Sequence, residues 1–485
     1  MLMKTSSQSL TEQLSARFAE RIRDRLLAPG ARLPSVRLCA QQQGVSPSTV
    51  VAAYDQLLAQ GLVEARKNRG FFVREMAAVR TQRAQDAIET GADGKPMAAW
   101  ATATGFSTTR GYAPIDATDL IRGMFHKLSD KPQPGMGLFP ADWLESTFMP
   151  AAVRKVTSTR ALQEFSLQYG EPQGDSGLRR ALSKKLATLN VHAGPENIIT
   201  TVGATHALDI VSRSLLRAGD PVMVEEPGWA VEFARLTAMG MRLLPVPRRA
   251  DGPDLEVMQR YCEAHQPKLY VSVSVFHNPT GYCLSPGRAH QVLQLANQHN
   301  FHIVEDDTYS HIAPEHATRM CALDGLQRTI YVSGFAKILA PNWRVGFLAA
   351  PPSLIEQLLD TKLLGTLTTP ALLEKALALC IEQGQLRRHA ERIRTRLDVA
   401  RSRSVKLAQQ AGCTFAAEPA GLFGWVDAGV DTDALAQRML DEGYLLAPGS
   451  LFHAVRKPST LMRINFATTQ DAAFWKTFVR VRGAL

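Results

Sequence analysis

Short runs of β-forming residues alternate with helical stretches between residues 197 and 332, and this alternation constrains the fold more than any other feature. The runs are Asn197–Val202, Pro221–Glu225, Leu269–Val275, Phe301–Val304 and Thr329–Val332. Strands that alternate with helices pair in a largely parallel sheet whose faces the helices cover. The sequence therefore predicts an α/β large domain from about Ile121 onward.

Each run leads into a cluster of polar or small residues. In chain order these clusters contain Gly203, Ala204 and Thr205, then Trp229, then Asn278, then Asp306 and Tyr309, and finally Lys337 and Arg344, with Ser333 four residues before that lysine. Open α/β sheets bind ligands at the carboxyl ends of their strands. We therefore expect these side chains to converge on one site.

The chemistry of this set points to a phosphorylated aldehyde as ligand. A lysine among apolar residues, such as Lys337, gives up its proton easily and becomes a nucleophile. Arg344 offers a planar fork for a phosphate, and the turn Gly203–Thr205 offers backbone N–H groups at a helix start. Taken singly, Lys337 also fits a surface lysine, and the turn fits an ordinary strand-to-helix connection.

The N-terminus is basic and has its own pattern. Residues 1–80 hold 12 Lys/Arg and 6 Asp/Glu, whereas the remainder holds 43 and 39 and is nearly neutral. The predicted elements are a helix over 9–27, a short helix Ser35–Gln43 closed by Gly44, a helix Pro47–Gln60, and strands Leu62–Arg66 and Gly70–Arg74. This order predicts a winged helix-turn-helix, whose second helix enters the DNA major groove.

Candidate DNA contacts lie on three parts of this module. The first turn of the recognition helix offers Ser46, Ser48 and Thr49, with Ser46 also its N-cap. The preceding helix offers Arg37, and the wing offers Arg66, Lys67, Arg69 and Gly70 for contacts to phosphates or the minor groove. A solvated basic face without DNA is the alternative for each arginine alone.

Residues 29–73, PGARLPSVRLCAQQQGVSPSTVVAAYDQLLAQGLVEARKNRGFFV, resemble the GntR family of bacterial regulators. The polar clusters of the large domain resemble fold-type I pyridoxal-phosphate enzymes of the aminotransferase class. Together they match the MocR-type subfamily of GntR regulators. The resemblance implies a winged helix-turn-helix over 1–75, a linker over 76–119 and an aminotransferase-like domain over 120–485, of which about 351–485 form a smaller C-terminal α+β part.

The resemblance also implies a role for each candidate residue toward pyridoxal 5'-phosphate. Lys337 would form the internal aldimine, Asp306 would pair with the pyridine nitrogen, and Asn278 and Tyr309 would bind the ring hydroxyl oxygen. Trp229 would stack on the ring, and the phosphate would be held by Gly203, Ala204, Thr205 and Arg344. Tyr169 would reach the cofactor phosphate of a second subunit, which implies a homodimer, and Arg463 would clamp a ligand carboxylate.

Three positions depart from the pattern of the family. Pro47 follows the N-cap serine where many relatives carry arginine, so an arginine contact to DNA cannot form at this position. Gly334 and Ala336 stand where relatives carry hydroxyl residues that bind the phosphate, and Ser333 is the nearest hydroxyl. We therefore expect one phosphate hydrogen bond to be absent or to come from another direction.

The combination predicts a transcriptional regulator that binds an operator in double-stranded DNA and senses pyridoxal phosphate, or an amine or amino acid that forms an external aldimine with it. An aminotransferase with an appended DNA-binding module is the alternative, and residual transaminase chemistry is compatible with the regulator. Six scattered cysteines without CxxC spacing predict no metal site and a reducing compartment. With neither a signal peptide nor a membrane span in the pattern, we expect a cytoplasmic protein.

Overall fold

The computed structural model describes residues 9–23, 27, 30–66, 70–74, 131–144, 146, 148–158, 162 and 166–485. The chain divides into two compact units, Met1–His126 and Lys127–Leu485, and each is described by itself. The predicted linker over 76–119 lies outside the described residues. Nothing in the described part of the chain forms a helix with the length and apolar character needed to span a membrane.

The N-terminal unit is a three-helix domain with a two-stranded wing. Its elements are α1 (Leu10–Arg23), α2 (Val36–Gln43), α3 (Pro47–Ala59), β1 (Val63–Arg66) and β2 (Gly70–Val73). The core forms because apolar residues recur at four-residue spacing in α1, so that Leu14 and Phe18 meet Tyr54 and Leu57 of α3. The Phe18 and Tyr54 rings pack edge to face with centroids 5.6 Å apart.

The turn between α2 and α3 follows from its local sequence. Gly44 ends α2 with a left-handed backbone (φ 64°, ψ 35°), a conformation that glycine adopts without steric cost. Ser46 then caps α3 by accepting the N–H of Thr49, and Pro47 occupies the first helical position. The predicted helix-turn-helix is therefore present, with helix ends a few residues short of the predicted ones.

The large unit is built on one eight-stranded sheet with the strand order β3-β10-β9-β8-β7-β4-β5-β6. Its strands are β3 (Ile198–Thr201), β4 (Pro221–Glu226), β5 (Arg242–Arg249), β6 (Gly252–Pro253), β7 (Leu269–Ser272), β8 (His302–Asp306), β9 (Thr329–Gly334) and β10 (Gly346–Ala349). The strands from β5 through β4, β7 and β8 to β9 are parallel, whereas β10 is antiparallel to both of its neighbours. The predicted α/β sheet is confirmed, although the sequence patterns above do not predict β5 or β10.

Helices cover both faces of this sheet, as its parallel strands require. The helices of the large unit up to residue 382 are α4 (Ala141–Leu144), α5 (Phe148–Val156), α6 (Ser176–Ala187), α7 (Ala204–Leu215), α8 (Ala230–Ala238), α9 (Leu255–His265), α10 (Pro286–His299), α11 (Met320–Asp324), α12 (Ile355–Thr366) and α13 (Ala371–Glu382). One buried cluster joins α7, α8 and α12 to the sheet, and a second joins α9 and α10 to it. The sheet is therefore the middle layer of three.

A second, antiparallel sheet follows in the last part of the chain. It has the strand order β11-β12-β14-β13, with β11 (Thr414–Phe415), β12 (Phe423–Asp427), β13 (Ala447–Pro448) and β14 (Leu461–Asn465). The long helix α14 (Gln385–Gln410) precedes it, and α15 (Thr432–Asp441) and α16 (Ala472–Arg482) accompany it. Pairing of Trp425 with Arg463 between β12 and β14 fixes the position of that arginine.

Candidate functional site

The carboxyl ends of β7, β8 and β9 bring the predicted polar residues to one edge of the large sheet. Asp306 is the last residue of β8, and Lys337 lies three residues beyond the end of β9. Asp306, Arg463 and Arg344 are all close enough to Lys337 to shift its pKa. The convergence expected from the sequence therefore holds for these four side chains.

Lys337 is largely buried and holds its amine in a defined direction. Its Nζ donates a hydrogen bond of 2.7 Å to the Gly137 carbonyl. Burial, together with the positive charge of Arg463, lowers the pKa of this amine to about 8, and Asp306 opposes the change. A lysine with this pKa has an appreciable fraction of free amine near neutral pH, which a nucleophile requires.

Asp306 faces the same site as a buried carboxyl group. Its Oδ1 accepts the backbone N–H of Thr308 at 3.0 Å and also the Thr308 hydroxyl. Burial raises the pKa of Asp306 to about 6, so the group is still mostly ionised at pH 7. None of the described hydrogen bonds uses Oδ2, which leaves one oxygen of the carboxylate for a cationic ligand atom.

Arg463 projects into the site from β14 and is almost completely buried. Its Nη1 donates to Asn278 Oδ1 at 2.8 Å, and its Nη2 donates to the Gly135 carbonyl. The guanidinium carbon lies 4.3 Å from the ring centroid of Phe423 and 5.3 Å from that of Phe452. Its Nε is buried and has no hydrogen-bond partner among the described residues, so one donor remains for a ligand.

Tyr309 completes the wall next to Arg463. The ring is buried and packs edge to face against Phe423, with centroids 5.6 Å apart. Burial raises the pKa of its phenol well above the ordinary value, so the hydroxyl keeps its proton and can donate a hydrogen bond. Arg463 opposes this shift and Asp306 adds to it, which places both charges close to the phenol.

The turn before α7 forms a cradle for an anion. Gly203 has φ 81° and ψ 167°, a region that essentially only glycine occupies, and no side chain caps the helix that follows. Arg344 lies over this turn and donates from Nη2 to the Val202 carbonyl at 3.2 Å. Arg344 and Thr205 also line a pocket of about 510 Å³. Uncapped N–H groups at a helix start beside a guanidinium suit a phosphate.

Gly334, one of the departures from the family pattern, has a local structural reason. A Cβ atom at this position would lie 3.3 Å from the Ala204 backbone nitrogen and 3.4 Å from the Val345 carbonyl oxygen. The glycine therefore lets the end of β9 approach the first turn of α7 closely. Ser333 does not take over its place, because its hydroxyl is buried and donates to the Asp307 carbonyl at 2.9 Å.

A segment over 131–140, here called the strap, contacts Lys337 and Arg463 through its backbone. Its carbonyls at Gly135 and Gly137 accept from Arg463 and Lys337. The strap is fixed by Gly135 N–H, which donates to Leu445 O at 2.7 Å, and by Asn465, which donates to two further strap carbonyls. The sequence patterns did not reveal the strap, because every residue type has the same backbone carbonyl acceptor. Apart from the two glycines, its residue types do not mark this role.

Three further residues, Trp229, Tyr169 and His277, differ from one another in their surroundings. Trp229 directly precedes α8 and packs against the core cluster that joins α7, α8 and α12 to the sheet. Tyr169 is 83% exposed on this single chain, which leaves it accessible to another molecule. His277 is buried, with Nδ1 2.8 Å from the Thr280 hydroxyl and Nε2 3.4 Å from Glu225, so it supports the loop that carries Asn278.

In the winged helix, the predicted contact residues lie mostly at the surface. Arg37 and Ser48 are exposed, and the Ser46 hydroxyl lies 2.8 Å from both the Ser48 and Thr49 hydroxyls. Arg66 is exposed but pairs with Glu64 at 2.6 Å and stacks over Phe72. Gly70 opens β2 with φ 96°, whereas Lys67 and Arg69 lie outside the described residues.

Arg32 is a further basic residue at this surface that the sequence patterns did not single out. Its guanidinium would lie 3.4 Å from a Cβ atom at Gly70, and its backbone forms a bridge to Phe72. It therefore adds an exposed cation beside the wing. The long separation between Arg32 and the wing in sequence explains why no local pattern linked them.

Comparison with known proteins agrees with both units. The family described as aminotransferase class I and II matches residues 141–474, and the family described as bacterial regulatory proteins, gntR family, matches residues 10–73. The probable rhizopine catabolism regulatory protein MocR of Rhizobium meliloti is 30% identical over 77% of this chain and 73% of its own length. The uncharacterized HTH-type transcriptional regulator YisV of Bacillus subtilis is 25% identical over 96% of this chain and 94% of its own.

Solved structures resemble the large unit. The multiple substrate aminotransferase of Thermococcus profundus is 26% identical with a TM-score of 0.67, over 75% of this chain and 92% of its own. The α-aminoadipate aminotransferase LysN of Thermus thermophilus shares the fold, with a TM-score of 0.67 over 74% of this chain and 93% of its own at 24% identity. The predicted fold class is thus confirmed. The chain belongs to the aminotransferase class I and II family and, with its gntR-type N-terminal unit, to the MocR-type regulators.

Proposed function

We propose that this protein regulates transcription by binding operator DNA through its winged helix and by sensing pyridoxal phosphate, or an amine or amino acid that reacts with it, in the large unit. The observation that carries the proposal is the joint placement of Lys337, Asp306 and Arg463 around one buried site in a chain that also holds a DNA-binding unit. The site of action would be the bacterial cytoplasm.

The residues present fit the cofactor. The uncapped turn at Gly203, Ala204 and Thr205, together with Arg344, would hold the phosphate. Asp306 would pair with the ring nitrogen, Asn278 and Tyr309 would bind the ring hydroxyl oxygen, and Trp229 would stack on the ring. When bound through Lys337, pyridoxal phosphate supplies an electron sink for an amine attached to it. Ser333 is not part of this proposal, because its hydroxyl is used elsewhere.

Each protein group has a task that follows from its surroundings. The free-amine fraction of Lys337 can attack a carbonyl carbon and later carry a proton, since its pKa of about 8 lies near the working pH. Arg463 would bind the carboxylate of an amino-acid ligand with Nε and with Nη2 once Nη2 leaves Gly135. Tyr169 would reach the cofactor phosphate of a second subunit, so we propose a homodimer.

The proposal is tested by visible absorbance and DNA binding measured on the same preparation. The wild type with added pyridoxal phosphate should show a cofactor band that is absent from Lys337→Ala, and the band should shift with a subset of amino acids or amines. The affinity for a duplex selected from a random library should then change with the same ligands. An unchanged DNA affinity across cofactor and ligands would refute the sensing function, even if the band is present.

Aminotransferase turnover is a second candidate function. The presence of Lys337, Asp306 and Arg463 together favours it. The lysine can also carry a proton near neutral pH. Incubation of the loaded protein with single amino acids and a second 2-oxo acid as amino-group acceptor, followed by quantification of the keto acid formed from the amino acid, tests it. One equivalent or less of keto acid per site, without further turnover, would restrict the protein to sensing.

A further inference from the structure

The long helix α14 concentrates positive charge that the composition of the chain conceals. It carries eight Lys/Arg and two Asp/Glu in 26 residues, a net charge of +6 out of +10 for the whole protein. Residues 81–485 have a net charge of only +4, so the rest of that region is net negative. The near-neutral net charge of residues 81–485 therefore conceals one strongly basic helix outside the winged helix.

Five of these cations lie along one face of α14 and form what is here called the basic stripe. They are Arg388, Arg392, Arg396, Arg403 and Lys406, all of them exposed. Their separations of three, four and seven residues keep them on one side of the helix, opposite the buried Ile393 and Leu397. At 1.5 Å per residue the stripe is about 27 Å long.

Carboxylates neutralise only part of this stripe. Arg396 pairs with Asp142 at 2.8 Å and lies over the Trp143 ring, so it has a structural role. In contrast, Arg388, Arg403 and Lys406 form no ion pair with any residue that the structure describes. Like charges at neighbouring positions of a helix face lower its stability. A row of cations kept without carboxylates therefore indicates an external anion.

A polyanion with regularly spaced charges fits the stripe best. Duplex DNA carries one phosphate charge per about 1.7 Å of its axis, so 27 Å of duplex presents about 16 phosphates. Four of the five cations are arginines, whose fork suits phosphate oxygens. Only Val399 adds exposed apolar surface to this face, which disfavours a protein interface or a membrane surface as the partner because both need apolar anchors.

We propose that the basic stripe binds the phosphate backbone of duplex DNA beyond the segment read by the winged helix. The inference rests on the proposed DNA-binding function, because DNA held by the winged helix stays at a high effective concentration for any second contact on the same chain. The stripe then adds affinity without sequence preference, since phosphate contacts position the duplex and carry no base information.

The test compares Arg388→Gln/Arg403→Gln/Lys406→Gln with a control that loses the same charge elsewhere. The control is Arg180→Gln/Arg242→Gln/Arg260→Gln, three exposed arginines of the large unit that also form no ion pair with described residues. The probes are a duplex selected from a random library by the full-length protein and trimmed to the segment that the stripe variant protects, and the same duplex extended by random sequence on both sides. Affinities are measured at salt concentrations from about 50 to about 200 mM.

On the extended duplex, the stripe variant should bind more weakly than the control, and its dependence on salt should be shallower. Loss of three phosphate contacts lowers the slope of log affinity against log salt by up to about 2.7. The advantage of the wild type over the variant should then shrink by up to about 40-fold between the two salt concentrations. On the trimmed duplex the two variants should differ little.

Equal slopes for the stripe variant and the control on the extended duplex would overturn the inference, and so would binding of poly-glutamate in place of DNA. Unchanged melting temperature and cofactor absorbance exclude misfolding as the cause of any loss. Failure of the wild type to select any duplex would instead refute DNA binding itself. If Arg37→Ala weakens DNA binding and the stripe variant does not, the proposed function stands and only the inference about the basic stripe fails.

Discussion

Replacement of Gly203 by alanine tests the anion cradle directly. A Cβ atom at this position would lie 2.5 Å from Arg344 Nη2 and 2.9 Å from its Cζ, so the guanidinium has to leave the turn. The displaced arginine forfeits a charge-assisted hydrogen bond to the phosphate, which contributes about 1.5–3 kcal/mol. We expect the dissociation constant for pyridoxal phosphate, measured by absorbance titration, to rise by about 10- to 150-fold.

The control separates this displacement from backbone strain. Gly203 and Gly219 both have a positive φ, 81° and 93°, so alanine is strained at either position by about 1–3 kcal/mol. A Cβ atom at Gly219 would meet no atom within 4 Å. Gly219→Ala should therefore lower the melting temperature but leave the cofactor affinity unchanged. A wild-type dissociation constant in Gly203→Ala would refute the cradle at this turn.

Three further predictions concern Lys337, Arg463 and the recognition helix. Lys337→Met should stabilise the cofactor-free protein by roughly 3 kcal/mol below pH 8, because the native state then no longer holds an ammonium whose pKa burial lowers to about 8. The gain should vanish as pH rises toward 10.5, where the unfolded lysine also loses its proton, and urea unfolding at about pH 7 and about pH 9.5 checks the sign. Arg463→Gln should weaken amino-acid binding about 10- to 150-fold but spare amines without a carboxylate, as read from absorbance titrations; an equal loss for both classes would exclude the clamp. Ser46→Ala removes the cap of α3 and should lower the stability of the winged helix by about 1 kcal/mol in thermal unfolding, whereas Ser48→Ala should not.

Local sequence rules were sufficient for the elements that depend on local chemistry. Gly44, Ser46 and Pro47 determine the turn of the helix-turn-helix through their own backbone preferences, so the turn could be predicted from three residues. The parallel strands β4, β7, β8 and β9 were equally visible, because strands buried on both faces are continuous apolar runs. The strand β5 was not, since Pro245, Pro247 and its arginines lower its β propensity and only its neighbours β4 and β6 make it a strand.

The candidate site likewise has features that the sequence predicts and features that it does not. The sequence reveals the strands that lead to Lys337, Asp306 and Asn278, and each of these residues lies at or beyond a strand end. Their convergence could therefore be predicted before the structure. The partners of Arg463 could not, because Gly135 and the arginine are 328 residues apart and a carbonyl acceptor is the same in every residue type. Likewise, the orientation of Ser333 depends on which face of β9 it occupies, and that face is set by the neighbouring strands.

The strap sets a minimum requirement for any molecule that enters the site. Its carbonyls at Gly135 and Gly137 already satisfy donors of Arg463 and Lys337, so an incoming molecule competes with hydrogen bonds that are already formed. A compound with a single hydrogen-bond acceptor group, such as one carboxylate, can replace one of the two bonds and leaves the other in place. Molecules that carry two acceptor groups at the right separation replace both bonds at once, so discrimination begins with the spacing of two acceptors and not with the identity of a side chain.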